Sequence, residues 1–316
     1  MDSVRNSIVI CAQHRKQELD CLLKCLNEIA IQIPVELIVV ANSGLASAIE
    51  QIFKIVSQYE SFASKKVVES KPGLTRSRNL GKLLAQGEFI SFLDDDIEIT
   101  ADYFQRVEQL FSSDMNIVGA SPFVEVDPMR WQSKSPLTVM RRKRELAGKI
   151  TTYGRFDWLD FSETINQVEW LPGCAMTYRS SVIKDLIFNE ELENGPSGGY
   201  ALGEDADFSM RVSRLGKLVG LANVSILHKL SPVSRSNAEV MEAARGAWLA
   251  YLTRAFPTKF SKRLITIRLG MHTARIFLGI RNTSNLPTLN IRIASLRVRG
   301  FKSELNNPKL GAGLTK

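Results

Sequence analysis

The chain has 316 residues, 44% hydrophobic and 23% charged, enough apolar content for a substantial core and too much for a disordered chain. Its formal charge of +8 is unevenly spread: residues 241–316 carry 14 Lys and Arg against 2 acids, a net +12, which leaves 8 − 12 = −4 for residues 1–240. Neither a secretory leader nor an uncharged apolar run of the roughly 18 residues needed to span a bilayer is visible. The chain is therefore expected in the cytoplasm or peripherally on the cytoplasmic face of a membrane.

Ser7 to Cys11 reads as a buried strand, followed by a polar loop and a helix with Leu19, Leu22, Leu23, Leu26 and Ile29 at helical spacing. Pro34 breaks the connection. Glu36 to Val40 is a second strand that ends in the turn-forming group Ala41-Asn42-Ser43-Gly44, and a helix carrying Ile49, Ile52, Phe53 and Val56 follows. Lys66 to Glu69 is a weaker third strand. Pro72 and Gly73 force a loop before a helix over Thr75 to Ala85, whose first turn holds Arg76, Arg78 and Asn79, groups suited to phosphate. The four cysteines, Cys11, Cys21, Cys25 and Cys174, match no metal or disulfide spacing. Cys21 and Cys25 share a helix face, where buried free thiols are expected.

The stretch Gly87 to Asp96 (GEFISFLDDD) organises the rest. A turn residue launches a short β-forming apolar run that ends in three adjacent carboxylates. Ligands of open α/β sheets bind outside the carboxyl ends of strands, and clustered oxygens there suit a divalent cation that bridges phosphates. Alternation along the strand puts Asp94 and Asp96 on one side and Asp95 on the other, so one carboxylate can hold metal and another a ribose hydroxyl. The bland alternative is an acidic, solvated turn.

Thr100 then caps a helix with Tyr103, Phe104, Val107, Leu110 and Phe111 on its apolar face, and Ile117 to Ser121 is a fifth strand. Pro122 to Val168, with Arg141 to Arg144 at its centre, reads as a loop-rich insertion, either a lid or a solvated basic segment. Glu169 to Tyr178 restores a strand. Asn194 to Tyr200 is loop, and Gly203-Glu204-Asp205-Ala206-Asp207 opens a helix with Phe208, Val212 and Leu215 facing the core. Acids in a first turn also serve the helix dipole alone. Strands alternating with helices predict a mainly parallel sheet flanked by helices.

A boundary near Ser231 to Ser236 divides the chain into residues 1–235 and a basic, helical extension, 236–316. In the extension Ala238 to Phe256 reads as a helix, with Val240, Ala244, Ala247, Trp248 and Tyr251 apolar. Lys262 to Ile280 mixes apolar and basic residues, a pattern suited to packing on the rest of the chain or to lying on an anionic membrane surface, the latter favoured because the charge excess continues through Arg292, Arg297, Arg299 and Lys302.

Taken in order, these pieces resemble family 2 glycosyltransferases of the GT-A fold, a Rossmann-related α/β class, over roughly residues 7–230. The carriers are Ser77-Arg78-Asn79, the strand ending in Asp94-Asp95-Asp96, Leu171-Pro172-Gly173-Cys174-Ala175-Met176, and Gly203 to Arg211 with its Glu204-Asp205 start. The resemblance implies a metal-dependent, inverting transfer from a nucleotide-sugar donor to a carbohydrate or lipid-linked acceptor, in surface polysaccharide or glycolipid synthesis. It implies that Asp205 is the catalytic base, that Asp96 ligates Mn²⁺ or Mg²⁺ against the diphosphate, and that His228 matches a late histidine ligand of some such enzymes. It also implies that Arg78, Asp94 and Asp95 lie at the nucleotide sugar, Asp95 on the ribose, with Gly173 and Glu204 on the acceptor side. Two positions depart from the family pattern: Asn42 follows Ala41 where a base-reading aspartate is common, and Gln13 stands where an aromatic is common. Asn42 can still hydrogen-bond a base. The competing classes are an inactive nucleotide-binding protein of the same fold and a nucleic-acid binder; for the latter the basic tail shows no binding motif, so nucleic acid is not an expected partner.

Overall fold

The computed structural model describes residues 5–126, 148–154, 165–193, 202–229, 238–277, 295–302 and 305. Two compact units emerge: Met1–Lys149 with Asp157–Asn189 and Glu204–Arg235, and Ile150–Phe156 with Glu190–Gly203 and Ser236–Lys316. The second unit thus includes two earlier segments besides the C-terminal extension.

In the first unit the order is β1 (Asn6–Ala12), α1 (Lys16–Gln32), β2 (Val35–Ala41), α2 (Ala46–Ser57), β3 (Ser64–Glu69), α3 (Leu74–Leu84), β4 (Phe89–Leu93), β5 (Ile97–Glu98), α4 (Ala101–Ser113) and β6 (Ile117–Val126). Then come β7 (Asn166–Val168), β8 (Ala175–Arg179), α5 (Ser180–Ile183), α6 (Glu204–Val212) and β9 (Lys217–His228). Among the described residues these strands form one sheet in the order β3-β2-β1-β4-β8-β6-β9-β5, with β7 also on β9. β1 pairs in parallel with β2 and β4, β2 with β3, and β6 with β9. The remaining pairings, β4 and β6 with β8 and β5 and β7 with β9, are antiparallel. The α/β class holds, and the sheet is mixed, its parallel character concentrated in the first half.

β2 and β4 are buried along their whole length and β1 nearly so, as continuous apolar runs covered on both faces should be, whereas β3 at the edge is only half-buried. Alternate residues feed two cores. Ile8, Ile10, Leu37 and Val39 meet α1, α2 and α4, while Val9, Ile38 and Val40 join Phe92, Tyr178, Phe188 and Phe208 on the other face. At Gly81 of α3 a Cβ would lie 2.2 Å from Val9 Cγ1, so the helix sits on β1 closer than alanine allows. The sheet holds a buried carboxylate. Burial opposes the Glu36 carboxylate, but Lys66 Nζ at 2.6 Å, Ser7 Oγ at 2.5 Å and the Gln86 N–H at 2.8 Å outweigh it and hold its pKa below the ordinary value.

Several expectations are corrected. Phe53, at the margin of the α2 stripe, stays 41% exposed, and Leu215 lies beyond the end of α6, 57% exposed. Cys21 is exposed and Cys25 half-buried, because only the leucine and isoleucine stripe of α1 faces the sheet; none of the four cysteines forms a disulfide. Thr100 occupies the N-cap of α4 but makes no side-chain capping bond; its carbonyl accepts from the Tyr103 N–H at 3.2 Å. The strand at Ile117 continues through Pro122 to Val126 and Asn166–Val168 is also extended, so the insertion is narrower than expected; Arg141 to Arg144 lie outside the described residues. The strand expected from Glu169 begins only at Ala175.

In the second unit α7 (Ala238–Ala255) buries Ala244, Ala247, Trp248, Tyr251 and Leu252, and α8 (Lys262–Phe277) buries Ile265 and Leu269. Residues 295–302 are also helical. They cross α7 closely, since a Cβ at Gly246 would fall 1.9 Å from the Arg297 carbonyl oxygen.

Candidate active site

The first unit's topology gathers its chemistry at one sheet edge. β6 and β9 run parallel to β4 because β8, antiparallel to both β4 and β6, lies between them. The carboxyl ends of β1, β2, β4 and β9 therefore share an edge, and antiparallel β8 brings its amino end there too. That edge is where open α/β sheets bind ligands. It receives Arg15 after β1, Asn42 after β2, Asp94 to Asp96 after β4, Gly173 before β8 and His228 at the end of β9.

Asp94, Asp96 and His228 bring one ligand atom each within 4.8 Å of one another. His228 Nε2 is 3.1 Å from Asp96 Oδ1, and the Lys229 N–H donates to the Asp96 carbonyl at 2.9 Å, so the short β5–β9 pairing fixes the aspartate against the histidine. Two carboxylate oxygens and an imidazole nitrogen fit Mn²⁺ or Mg²⁺, the imidazole favouring Mn²⁺ of the two. Strand β4 ends at Leu93, so Asp95 and Asp96 stand in the turn that follows rather than alternating along a strand, and the Arg15 guanidinium lies against both; Asp95 is only 1% exposed. Burial raises its pKa, to about 8, with Arg15 acting against the shift and Asp94 and Asp96 adding to it.

Arg15 was not singled out in the sequence. Its Nη2 lies 2.5 Å from Asp95 Oδ1 and its Nη1 2.5 Å from Asp96 Oδ2. The available signal was its position: a cation beginning the helix after the first parallel strand must lie at the ligand edge. Burial works against its charge, and Asp95, Asp96 and Asp94 more than offset that, so its pKa is raised.

Arg78, expected beside the nucleotide, is 3% exposed and serves as a hub. Nη1 donates to Glu204 Oε1 at 2.9 Å, and Nη2 donates to the Gly173 carbonyl at 2.9 Å and reaches Asp94 Oδ1 at 3.5 Å. Burial opposes its charge, yet Glu204 and Asp94 hold its pKa above the ordinary value. The Gly173 peptide also donates its N–H to Asp205 Oδ2 at 2.9 Å, while Asp205 Oδ1 accepts from the Ala206 N–H at 2.7 Å. A Cβ on Gly173 would lie 3.1 Å from Arg78 Nη2 and 3.2 Å from Asp205 Oδ2, so glycine lets the two groups meet the backbone of one residue. Burial, then the neighbouring Glu204, raises the Asp205 pKa to about 7, against the pull of Arg78 and two amide N–H groups. Such a carboxyl is half-ionised near neutrality and suits proton abstraction.

Asn42 is buried at the end of β2. Ser77 Oγ donates to the Gly73 carbonyl at 2.6 Å, which uses its only proton, so it accepts from Asn42 Nδ2 at 3.0 Å. That fixes the amide's orientation. Asn42 Oδ1 is left buried with no partner among the described residues.

At this edge of an α/β sheet stand a metal-capable cluster, Asp94, Asp96 and His228, and a separate carboxylate, Asp205. Residues 7–169, just over half the chain, match the family model of glycosyl transferase family 2, and the chain belongs to that family. No curated protein matches the chain significantly. Solved structures similar in fold include S. aureus TarS 1-349 in complex with UDP-GlcNAc, 16% identical, with 96% of this chain and 90% of that one covered at a TM-score of 0.51. The mannosyltransferase PcManGT from Pyrobaculum calidifontis, in complex with GDP-Man and Mn²⁺, is 13% identical over 95% of this chain and 73% of that one, TM-score 0.53. GalNAc-T7 with UDP, GalNAc and Mn²⁺ is 12% identical over 96% of this chain and 57% of that one, TM-score 0.55. The fold is GT-A.

Proposed function

We propose that the protein transfers a sugar from a nucleotide-diphosphate donor to an acceptor hydroxyl with inversion at the anomeric carbon. The observation that carries this reading is the pairing, around Arg78, of a metal-capable set on one side with Asp205, its pKa near neutrality, on the other. Asp94, Asp96 and His228 would hold a divalent cation, which when bound supplies positive charge to the departing diphosphate. Asp205 takes the acceptor hydroxyl's proton. The acceptor oxygen then bonds to the anomeric carbon as the bond from that carbon to the diphosphate oxygen breaks, its electron pair leaving with the nucleoside diphosphate. Each Asp205 oxygen accepts one backbone N–H, which orients the carboxylate and leaves a second lone pair for the acceptor. Asn42 Oδ1 reads an N–H of the donor's base. UDP and GDP, the nucleotides of similar structures, both carry a ring N–H that could face it. A thermal-shift panel of nucleotide sugars with and without Mn²⁺ tests the donor half of the proposal. A rise with at least one uridine or guanosine sugar, larger with Mn²⁺, is expected; no shift with any donor contradicts it.

The acceptor, a carbohydrate or lipid-linked hydroxyl as in polysaccharide or glycolipid synthesis, is proposed to be met at a membrane surface. On α8, Leu264, Ile267 and Met271 recur at helical spacing and are 42%, 48% and 52% exposed, beside exposed Lys262 and Arg263. An apolar stripe next to cations complements anionic lipid. No helix among the described residues is long and apolar enough to cross a membrane.

A further inference from the structure

We propose that Arg15 is a built-in counter-cation of the metal site, competing with the divalent ion for Asp96 and so setting how tightly the nucleotide-free enzyme holds it. The inference rests on Asp94, Asp96 and His228 being the cation site. Three adjacent carboxylates, two of them almost wholly buried, need positive charge close by. Arg15 supplies it in a form matched to two of them, one Nη on Asp95 and the other on Asp96, each at 2.5 Å. Both Asp96 oxygens are therefore engaged: Oδ1 faces His228 and Oδ2 faces Arg15. An ion entering among Asp94, Asp96 and His228 meets a full positive charge on one ligand, and to gain Oδ2 it must displace the guanidinium ion-paired there.

The displacement is local. The Arg15 backbone is held at the start of α1, its carbonyl accepting the Leu19 N–H at 3.0 Å, so only the side chain has to shift. Asp95, which is not one of the three candidate ligands, still retains Nη2. The Nη1 released from Asp96 is then free for an anionic oxygen, and a diphosphate bound to the ion is the group that brings one there. Arg15 would thus weaken the ion's hold on the empty site and favour it once an anionic donor is present.

The test uses Mn²⁺ alone, titrated into the full-length protein without nucleotide and read by the electron paramagnetic resonance of free Mn²⁺. Arg15→Gln removes the charge while keeping a polar group beside Asp95, and should bind Mn²⁺ at least about tenfold more tightly than the parent. Arg15→Lys keeps the charge but spans only one carboxylate, so its affinity should fall between the two. Unchanged or weaker Mn²⁺ binding by Arg15→Gln, with thermal unfolding still cooperative, overturns the proposal. If the Gln variant does not fold, equal affinity of Arg15→Lys and the parent overturns it. Asp96→Ala separates the two layers of argument: Mn²⁺ binding that survives this change refutes the cation site itself, whereas its loss together with a tighter Arg15→Gln supports both. Neither donor nor acceptor enters the measurement, so a failure to find sugar transfer leaves the result interpretable.

Discussion

At the level of single residues, the site depends on one buried cation, Arg78, and one half-buried acid, Asp205. Arg78 joins Asp94, the Gly173 carbonyl and Glu204. Truncating it leaves Glu204 buried without its cation, and Arg78→Ala should lower stability by about 3–5 kcal/mol in denaturant titration. Arg78→Lys keeps the charge but cannot reach three partners, and should fold while transferring more slowly. For Asp205 the sign of the pH effect follows from its raised pKa. The unfolded carboxyl ionises near the ordinary value of about 4 and the folded one near 7, so the group subtracts stability as pH rises through that window. Asp205→Asn removes the penalty: its Tm relative to the parent should be higher at pH 8 than at pH 4.5. The same titration predicts that the parent's kcat/KM rises with pH through about 7, as a base that must be ionised requires. The placement of the acid triplet after a strand and of Asp205 at a helix start was legible from the sequence, because charge at an element's end is a local pattern. The work of Arg78 and Arg15 was not, since their partners come from elements far along the chain: Glu204 lies 126 residues beyond Arg78.

Among the elements, the parallel half of the sheet was readable because β1, β2 and β4 are unbroken apolar runs between turn residues. The antiparallel half was harder. β9 carries Gly220 and Asn223, the latter at a φ of 54°, and its pairing with β6 is interrupted by irregularities, so a single period does not run through it. Strand β5 has only Ile97 and Glu98, too short for any pattern, yet it sets Asp96 against His228. Close approach of α3 to β1 gives an element-scale prediction. Gly81→Ala forces its methyl into Val9 and should cost about 1–3 kcal/mol in thermal or denaturant unfolding. For α8, the proposed lipid face predicts co-sedimentation with anionic vesicles that weakens as salt rises. Replacing Leu264 and Ile267 by serine should reduce it without lowering Tm appreciably, because both side chains are already exposed. Equal binding by the serine variant and the parent would exclude this face.

For the whole molecule, the charge split visible in composition has a structural counterpart only in part. The basic C-terminal segment falls in the second unit, but that unit also takes in Ile150–Phe156 and Glu190–Gly203, an arrangement that no linear boundary expresses. Fold class and family were legible because several ordered motifs lie along one topology. The mixed sheet follows from β8 reversing direction, which hydrophobic patterning alone does not record. The central claim is that metal-assisted donor binding and proton abstraction belong to different carboxylates of that topology. Its most direct measurement pairs donor calorimetry in Mn²⁺ with a product assay on the parent, Asp96→Ala and Asp205→Asn. Asp96→Ala should lose Mn²⁺-dependent donor binding and transfer together, whereas Asp205→Asn should keep donor binding while transfer falls by about a hundredfold or more. Transfer by Asp205→Asn at the parental rate would contradict the account.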